Sequence, residues 1–275
     1  VVNRHDGYLG TLNLTRLLTE DPEQTVGEVM SAETEGIAPE TPVSQVASLF
    51  QDRDLLSAPV VSPEGRLLGR ITVDDVVDVI RDEADHSVMS MAGLDEDADM
   101  FAGVVPSARR RGLWLGVNLA TAFLAAWVVG LFETTIQNIV ALAVLMPIVA
   151  SMGGVAATQT LTLIVRGLAL GQVERTNARW LMTKEFAVAL LNGLAWATVV
   201  AVVAMLWFRN WKIAGVIFAA MVVNLVAAAL AGVAVPLALK RFGIDPAMAG
   251  GVIVTTVTDV VGFAALLGLG TLVLM

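Results

Sequence analysis

Asp245-Pro246-Ala247-Met248-Ala249-Gly250-Gly251-Val252-Ile253-Val254-Thr255-Thr256-Val257-Thr258-Asp259-Val260-Val261-Gly262-Phe263 opens the last segment of the chain. Thirteen uncharged residues separate its two aspartates, and sixteen more run uncharged from Asp259 to Met275. A run of that length exceeds the ~20 apolar residues that cross a bilayer as a helix. Asp259 then falls near mid-membrane, where a carboxylate costs roughly 2.5–3.5 kcal/mol even on lenient insertion scales. A membrane helix that keeps such a group is expected to line a polar pathway with it. Steps of three and four put Val252, Thr255, Thr256, Asp259, Gly262 and Phe263 on one helical face, an oxygen-bearing stripe.

Working outward, the composition agrees with a membrane protein: mean hydropathy is +0.73 and 56% of the 275 residues are hydrophobic. Charge is divided as sharply as hydropathy. Residues 1–108 hold 21 acidic and 6 basic side chains, whereas residues 109–275 hold 5 and 11. The acidic half disfavours nucleic acid as a partner and favours cations. With no cysteine, disulfides and thiolate chemistry are excluded. The first residues lack a signal-peptide pattern, and the opening on Val1-Val2 in mid-pattern points to an upstream part.

Uncharged windows predict five spans, at residues 113–132, 134–165, 186–208, 213–239 and 246–275. Five crossings put the termini on opposite sides. With the soluble half in the cytoplasm, nine basic residues lie inside against Arg209 and Lys212 outside, so Met275 faces outward. The second window is 32 residues, about 48 Å of straight helix against a core of about 30 Å. A tilt, kink or break is expected there, with Pro147 and Gly153-Gly154 as the place. Ser151, Thr158 and Gln159 add polar groups nearby; close packing of helices over small residues is the plainer account of the glycines.

Residues 1–89 carry an internal repeat with a period near 59. Val1-Val2, Asp6-Gly7, Leu9-Gly10, Leu17-Leu18 and Met30 answer to Val60-Val61, Glu64-Gly65, Leu68-Gly69, Val76-Val77 and Met89. Each copy reads strand, tight turn, strand, helix. Before the second copy, Thr41-Pro42-Val43 starts a helix through Phe50, and Ser57-Ala58-Pro59 leads into a strand. The strand entry Ala58-Pro59-Val60-Val61 and the string Gly69-Arg70-Ile71-Thr72-Val73-Asp74-Asp75 resemble a cystathionine-β-synthase (CBS) domain pair. The resemblance implies an adenine nucleotide such as ATP held at Thr72 and Asp75. The first-copy counterparts are Asn13 and Arg16, and the alternative is that Thr72 and Asp75 cap the helix that follows.

That helix carries an apolar stripe of Val73, Val76, Val77, Ile80 and Ala84 and an acidic one of Asp75, Asp78, Asp82 and Asp85. Like charges at that spacing repel by a few tenths of a kcal/mol per pair, roughly, unless a cation neutralises them. Asp95, Glu96, Asp97 and Asp99 follow closely. Hard oxygen donors suit Mg²⁺ or Ca²⁺ rather than zinc. A solvated acidic face is the competing account, and His5 and His86 read as surface residues.

Taken together, the residues resemble the MgtE family of magnesium channels, which includes the solute carrier 41 proteins. The most specific elements are Asp245-Pro246-Ala247 with Thr255 to Phe263, and Pro147 to Gln159 ahead of Leu163-Ile164-Val165-Arg166-Gly167. The implied fold is an α-helical polytopic membrane domain of five helices, residues 109–275, preceded by an α+β CBS-type cytosolic domain. The latter divides into part of a first unit at 1–30 and a second at 31–89, joined to the membrane by an acidic gating helix at 90–108. The resemblance further implies a homodimer in the plasma membrane, with an ion path between the second and fifth spans of both copies. Asp259 would be the selectivity carboxylate, with Thr255, Thr256, Gly262, Gly153, Gly154 and Gln159 along the path. Regulatory Mg²⁺ on Asp75, Asp78, Asp82, Asp85, Asp95 and Asp97 would close the pore. The chain departs from the family's Gly-Gly-Asn-x-Gly-x-Gln at Val155 and Ala157, which leaves the inner pore less polar.

No phosphate-binding loop of the G-x-x-x-x-G-K-[ST] type occurs, so passive uptake is expected rather than ATP-driven pumping. Competing classes are a transporter or exporter of Mn²⁺ or Co²⁺ and a membrane-tethered sensor that conducts nothing. An exporter needs energy coupling, and Glu133, Glu174 and Glu185 read as lying at helix ends rather than in a proton relay. No paired carboxylates, His or Cys mark an enzyme site in the membrane half.

Overall fold

The computed structural model describes residues 1–32, 36–94, 101–173 and 176–275. It divides into two compact units, Val1–Ala84 and Asp85–Met275.

In the first unit, α1 (Leu14–Thr19) and α2 (Val26–Val29) precede α3 (Val43–Asp52), β1 (Ser57–Val61), β2 (Leu67–Thr72) and the start of α4 (Val73–Met91). β1 and β2 pair antiparallel from Ser57 opposite Thr72, with a register shift between Val60 and Val61. Gly65 turns the hairpin with φ 81°, a left-handed conformation that suits glycine. Ile37, Val46, Phe50, Ala58 and Val76 close a small core between α3, the hairpin and α4.

The first repeat copy is more weakly formed than its sequence implies. Where two strands are expected, the described residues give isolated bridges, Val2 with Tyr8, Gly7 with Arg66 and Thr11 with Ser31, and then α1. The apolar stripe on α4 is only partly covered: Val76 is buried, but Val73, Val77 and Ile80 stay exposed.

The second unit holds the last turns of α4, then α5 (Val104–Gly130), α6 (Glu133–Asn138), α7 (Val140–Ala169), α8 (Ala178–Phe208), α9 (Trp211–Arg241) and α10 (Pro246–Leu274). Five of these, α5, α7, α8, α9 and α10, are long and apolar enough to cross a membrane. Four of the five run past at least one end of their uncharged windows, because the backbone ladder continues through charged turns such as Arg109 to Arg111, whose heads can reach back to the interface.

Of the tilt, kink or break expected at Pro147 and Gly153-Gly154, the break does not occur there. α7 is continuous through all three, and the interruption falls at Ile139 (φ −133°, ψ 73°), which separates the short α6 from α7. A proline inside a membrane helix is tolerated where neighbouring helices satisfy the freed backbone group.

α9 is the most deeply buried span and packs against α7, α8 and α10, while α5 packs on α10. Leu142, Leu145 and Val149 of α7, Ile217 and Met221 of α9, and Leu266 and Leu267 of α10 form the centre. Between helices in lipid there is little hydrophobic drive, so close van der Waals approach must hold them. Gly270 permits one such approach, for a Cβ there would collide with the Leu142 side chain. Gly270→Val should therefore lower the thermal midpoint of the detergent-solubilised protein, by an overpacking cost of about 1–3 kcal/mol. An unchanged melt would contradict this packing.

Candidate functional site

α10 starts from a well-made cap. Asp245 Oδ1 accepts from Ala247 N–H at 2.9 Å, and Pro246 occupies the first turn, where its missing N–H costs nothing. The other oxygen of Asp245 lies 3.3 Å from His86 Nε2, from the last turns of α4. His86 is thus half-buried against a carboxylate rather than a surface histidine. Further along α4, the sulfur of Met91 lies 3.9 Å from Thr162 Oγ1 of α7, and Met91 packs against the buried cluster that includes Ala157, Leu161 and Val254.

Up α10 from this cap, Thr255, Thr256 and Asp259 are all partly buried, and Thr258 is fully so. Thr256 Oγ1 donates to Val252 O at 2.6 Å, and Thr255 Oγ1 to Gly251 O at 2.9 Å. On α7, Thr158 Oγ1 donates to Gly154 O at 2.8 Å. Each hydroxyl directs its proton to its own helix and leaves oxygen lone pairs outward. Such a surface accepts hydrogen bonds and suits the water shell of a cation.

Two cavities meet along this seam. One, of about 710 Å³, is lined by Gly154, Val155, Thr158, Gln159, Thr162 and Thr255. The other, of about 680 Å³, shares Thr158, Thr162 and Thr255 and is bounded by Met91 to Leu94 and by Arg111 and Trp114. Of the residues singled out from sequence, Gly154, Gln159 and Thr255 therefore come together on one groove. The family departures separate: Val155 lies exposed on that groove, and Ala157 is buried in the helix packing.

Gly153 and Gly262 lie on a different side of their helices. A Cβ on Gly153 would collide with the Asn224 amide, and one on Gly262 would stand 2.7 Å from Asn224 Nδ2. Gly262 is accordingly buried on the packing seam with Thr258, while Asp259 and Thr255 are less covered. The shared face expected from three- and four-residue steps is in fact split into a packing edge and a polar edge. Asn224 itself is not among the residues that the motifs single out, although an amide in the middle of a 31-residue apolar helix is a visible signal.

Glu185 is the second residue missed. It lies seven residues into α8, is buried, accepts from Thr160 Oγ1 of α7 at 3.2 Å and sits 3.1 Å from Lys184 Nζ. The helix-end position expected for it does not hold. Glu133 does open α6, whereas Glu174 lies outside the described residues.

On α4, Asp75, Asp78, Asp82 and Asp85 are exposed. Among the described residues no three carboxylate or histidine side chains converge on one metal position. Asp95, Glu96, Asp97 and Asp99 lie outside the described residues. Thr72 donates to Asp75 Oδ2 through its N–H at 2.9 Å and its hydroxyl at 2.7 Å, which caps α4. The same device recurs at α2, where Thr25 bonds Glu28. Asn13, the first-copy counterpart of Thr72, caps α1 by accepting from Thr15 N–H.

A CBS-type unit ahead of five membrane-length helices, with a carboxylate and a threonine-lined seam among them, defines a multi-pass membrane protein. Residues 146–269 match the family model MgtE, divalent cation transporter, and residues 26–82 match the CBS domain. The first match falls on the membrane helices and the second on the unit ahead of them, in line with the sequence resemblance. It is 32% identical to the magnesium transporter MgtE of Thermus thermophilus, over 100% of this chain and 61% of that protein. It is 28% identical to that of Bacillus subtilis, over 98% and 60%, and 29% identical to that of Enterococcus faecalis, over 94% and 57%. The chain spans about three fifths of the length of these relatives.

The Thr72 bonds, chiefly the one from its backbone N–H, hold the Asp75 carboxyl below the usual carboxylate range. A folded-state pKa depressed below the unfolded one contributes stability above the ordinary value and loses it as pH falls through the depressed one. Protection of the first-turn amides of α4, taken relative to the intrinsic exchange rate at each pH, should therefore fall as pH drops through the depressed pKa, and Asp75→Ala should lower that protection at neutral pH and remove its acid dependence.

Proposed function

We propose that the chain is a Mg²⁺ channel for passive magnesium uptake across the plasma membrane, working as a homodimer with its soluble half in the cytosol. The observation that carries this reading is Asp259, a partly buried carboxylate near the middle of membrane-length α10, one helical turn from Thr255, which lines the groove with α7. The relatives' shared name, magnesium transporter, supports the choice of ion.

Mg²⁺ dehydrates reluctantly and is bound through one or two carboxylates while it keeps several waters. A two-fold axis along the path would bring two copies of Asp259 together, neutralising the ion without stripping its inner shell. The threonine oxygens of α10 and the groove on α7 would then face the bound waters as acceptors. An inside-negative potential supplies about 4.6 kcal/mol for a doubly charged ion at about 100 mV, from about 2.3 per charge. No further energy source is required.

Control is assigned to the acidic face of α4. Asp78, Asp82 and Asp85 offer exposed hard oxygen donors, and Asp75 a fourth that its cap partly occupies. Among the described residues no three of them meet at one point, and in this scheme each Mg²⁺ would bridge this face to acids of the second copy. Bound ions would draw the acidic faces together and close the path; at low Mg²⁺ repulsion would loosen them.

Asp259→Ala should abolish Mg²⁺ entry into liposomes carrying the purified protein, and undiminished flux would sink the assignment. Neutralising Asp78, Asp82 and Asp85 together should leave the open-channel flux intact and raise the internal Mg²⁺ needed for closure; an unshifted closure curve would remove α4 from the sensor.

A further inference from the structure

Asn224 of α9 is an isolated polar side chain at the centre of the apolar bundle. It is fully buried. Its Nδ2 donates to Val149 O of α7 at 2.9 Å, and its Oδ1 has no partner among the described residues. The amide is seated in a notch made by two glycines from two other helices, Gly153 of α7 and Gly262 of α10. A leucine would fill such a space without an unpaired acceptor, and an uncompensated buried acceptor is costly. The amide therefore does something that apolar packing alone would not.

Its position says what that is. Gly262 follows Asp259 by three residues, less than one helical turn, and Val149 stands one turn before Gly153. The Asn224 bond fixes α7 against α9 at the level where α10 presents its carboxylate, and the two glycines set how closely α7 and α10 approach. We propose that Asn224 is a positioning residue for permeation: its carboxamide sets the spacing of α7 and α10 at Asp259, and so the cation preference there. The inference rests on the reading of this seam as the ion path. Asn224 touches no ion in this scheme, and it acts through Asp259. A misplacement of about 1 Å at a site of this kind costs on the order of a hundredfold in function, so loss of one interhelical bond is enough to be felt.

The test uses the purified full chain in liposomes, with Mg²⁺ flux measured against competing Ca²⁺ and Co²⁺, and thermal melting in detergent. Asn224→Leu keeps the branched four-atom shape and removes the bond. It should fold and elute as the parent does, yet admit Ca²⁺ or Co²⁺ relative to Mg²⁺ at a ratio changed by about tenfold, as expected for an offset of a fraction of an ångström. Gly262→Ala should lower both the melting point and the flux. The pair Asn224→Ala with Gly262→Ala should recover a large part of the melting point but not the parent's competition ratio, because truncating the amide vacates the space the new methyl needs and still removes the bond. An unchanged competition ratio in a folded Asn224→Leu protein would overturn the proposal, as would a double variant no better than Gly262→Ala alone. If the parent protein carries no Mg²⁺, the channel reading fails instead. The melts then decide the packing by themselves: recovery in the double variant keeps the spacing role, and its absence removes it.

Discussion

Everything in the membrane unit depends on how closely α7, α9 and α10 approach one another. In water, apolar helix faces are driven together; in hydrocarbon, the lipid tails are as apolar as leucine and that drive is largely absent. What remains is contact, which requires small residues where backbones meet. Gly232 of α9 stands over Thr160 and the Ala157 carbonyl, Gly250 of α10 over Leu161, and Gly270 over Leu142. Larger side chains on the facing helix fill each gap. The result is a bundle with α9 at its centre, against which the two helices of the polar seam are both held. A polar group is tolerated inside such a bundle only where its partners are fixed, and Asn224, Glu185 and Thr258 all satisfy that condition with a bond to a neighbouring residue or helix.

Polar character on the other edge of the same helices follows a different rule. Thr158, Thr255 and Thr256 return their protons to carbonyls three or four residues back, so they do not need a partner across the seam. That leaves the groove beside them free of cross-links, which would otherwise tie α7 to α10 there. Packing edge and polar edge alternate around one helix: Val254, Thr258 and Gly262 are buried, while Thr255, Thr256 and Asp259 between them are less so. A helix can serve both purposes because the two sets are offset by one residue.

Much of this was legible in the sequence. Five uncharged windows located the five membrane helices, and the lone Asp259 pointed to α10 and the polar edge it carries. What the windows missed has physical reasons. Helix ends are decided by backbone bonding and side-chain length rather than by the first charge, so α8 begins eight residues before its window. The break in the second window went to Ile139, since a proline in a packed bundle loses only one backbone bond, whereas the turn between α6 and α7 lets a long segment change direction before entering the bundle. The resemblance puts Gly153 and Gly262 along the path, and in the structure both also face a side chain that spacing within their own helices does not reveal. Asn224, on a third helix, is that side chain. Tertiary context of that kind cannot be read from spacing within one segment.

The acidic half and the polar seam have one covalent route between them in the described residues before α5, the last turns of α4. Those turns are not idle: His86 reaches the carboxylate that caps α10, and Met91 rests on Thr162 of α7. A ligand shifts an equilibrium only by the difference in its affinity for two states. Repulsion among the α4 aspartates amounts to a few tenths of a kcal/mol per pair, roughly, which is too little for any one pair to move a gate. The proposed sensor would therefore have to sum several ions over several carboxylates and deliver the sum at few points. His86 on Asp245 and Met91 on Thr162 give the last turns of α4 one contact with each helix of the seam, and in the proposed scheme a displacement of α4 would act on both.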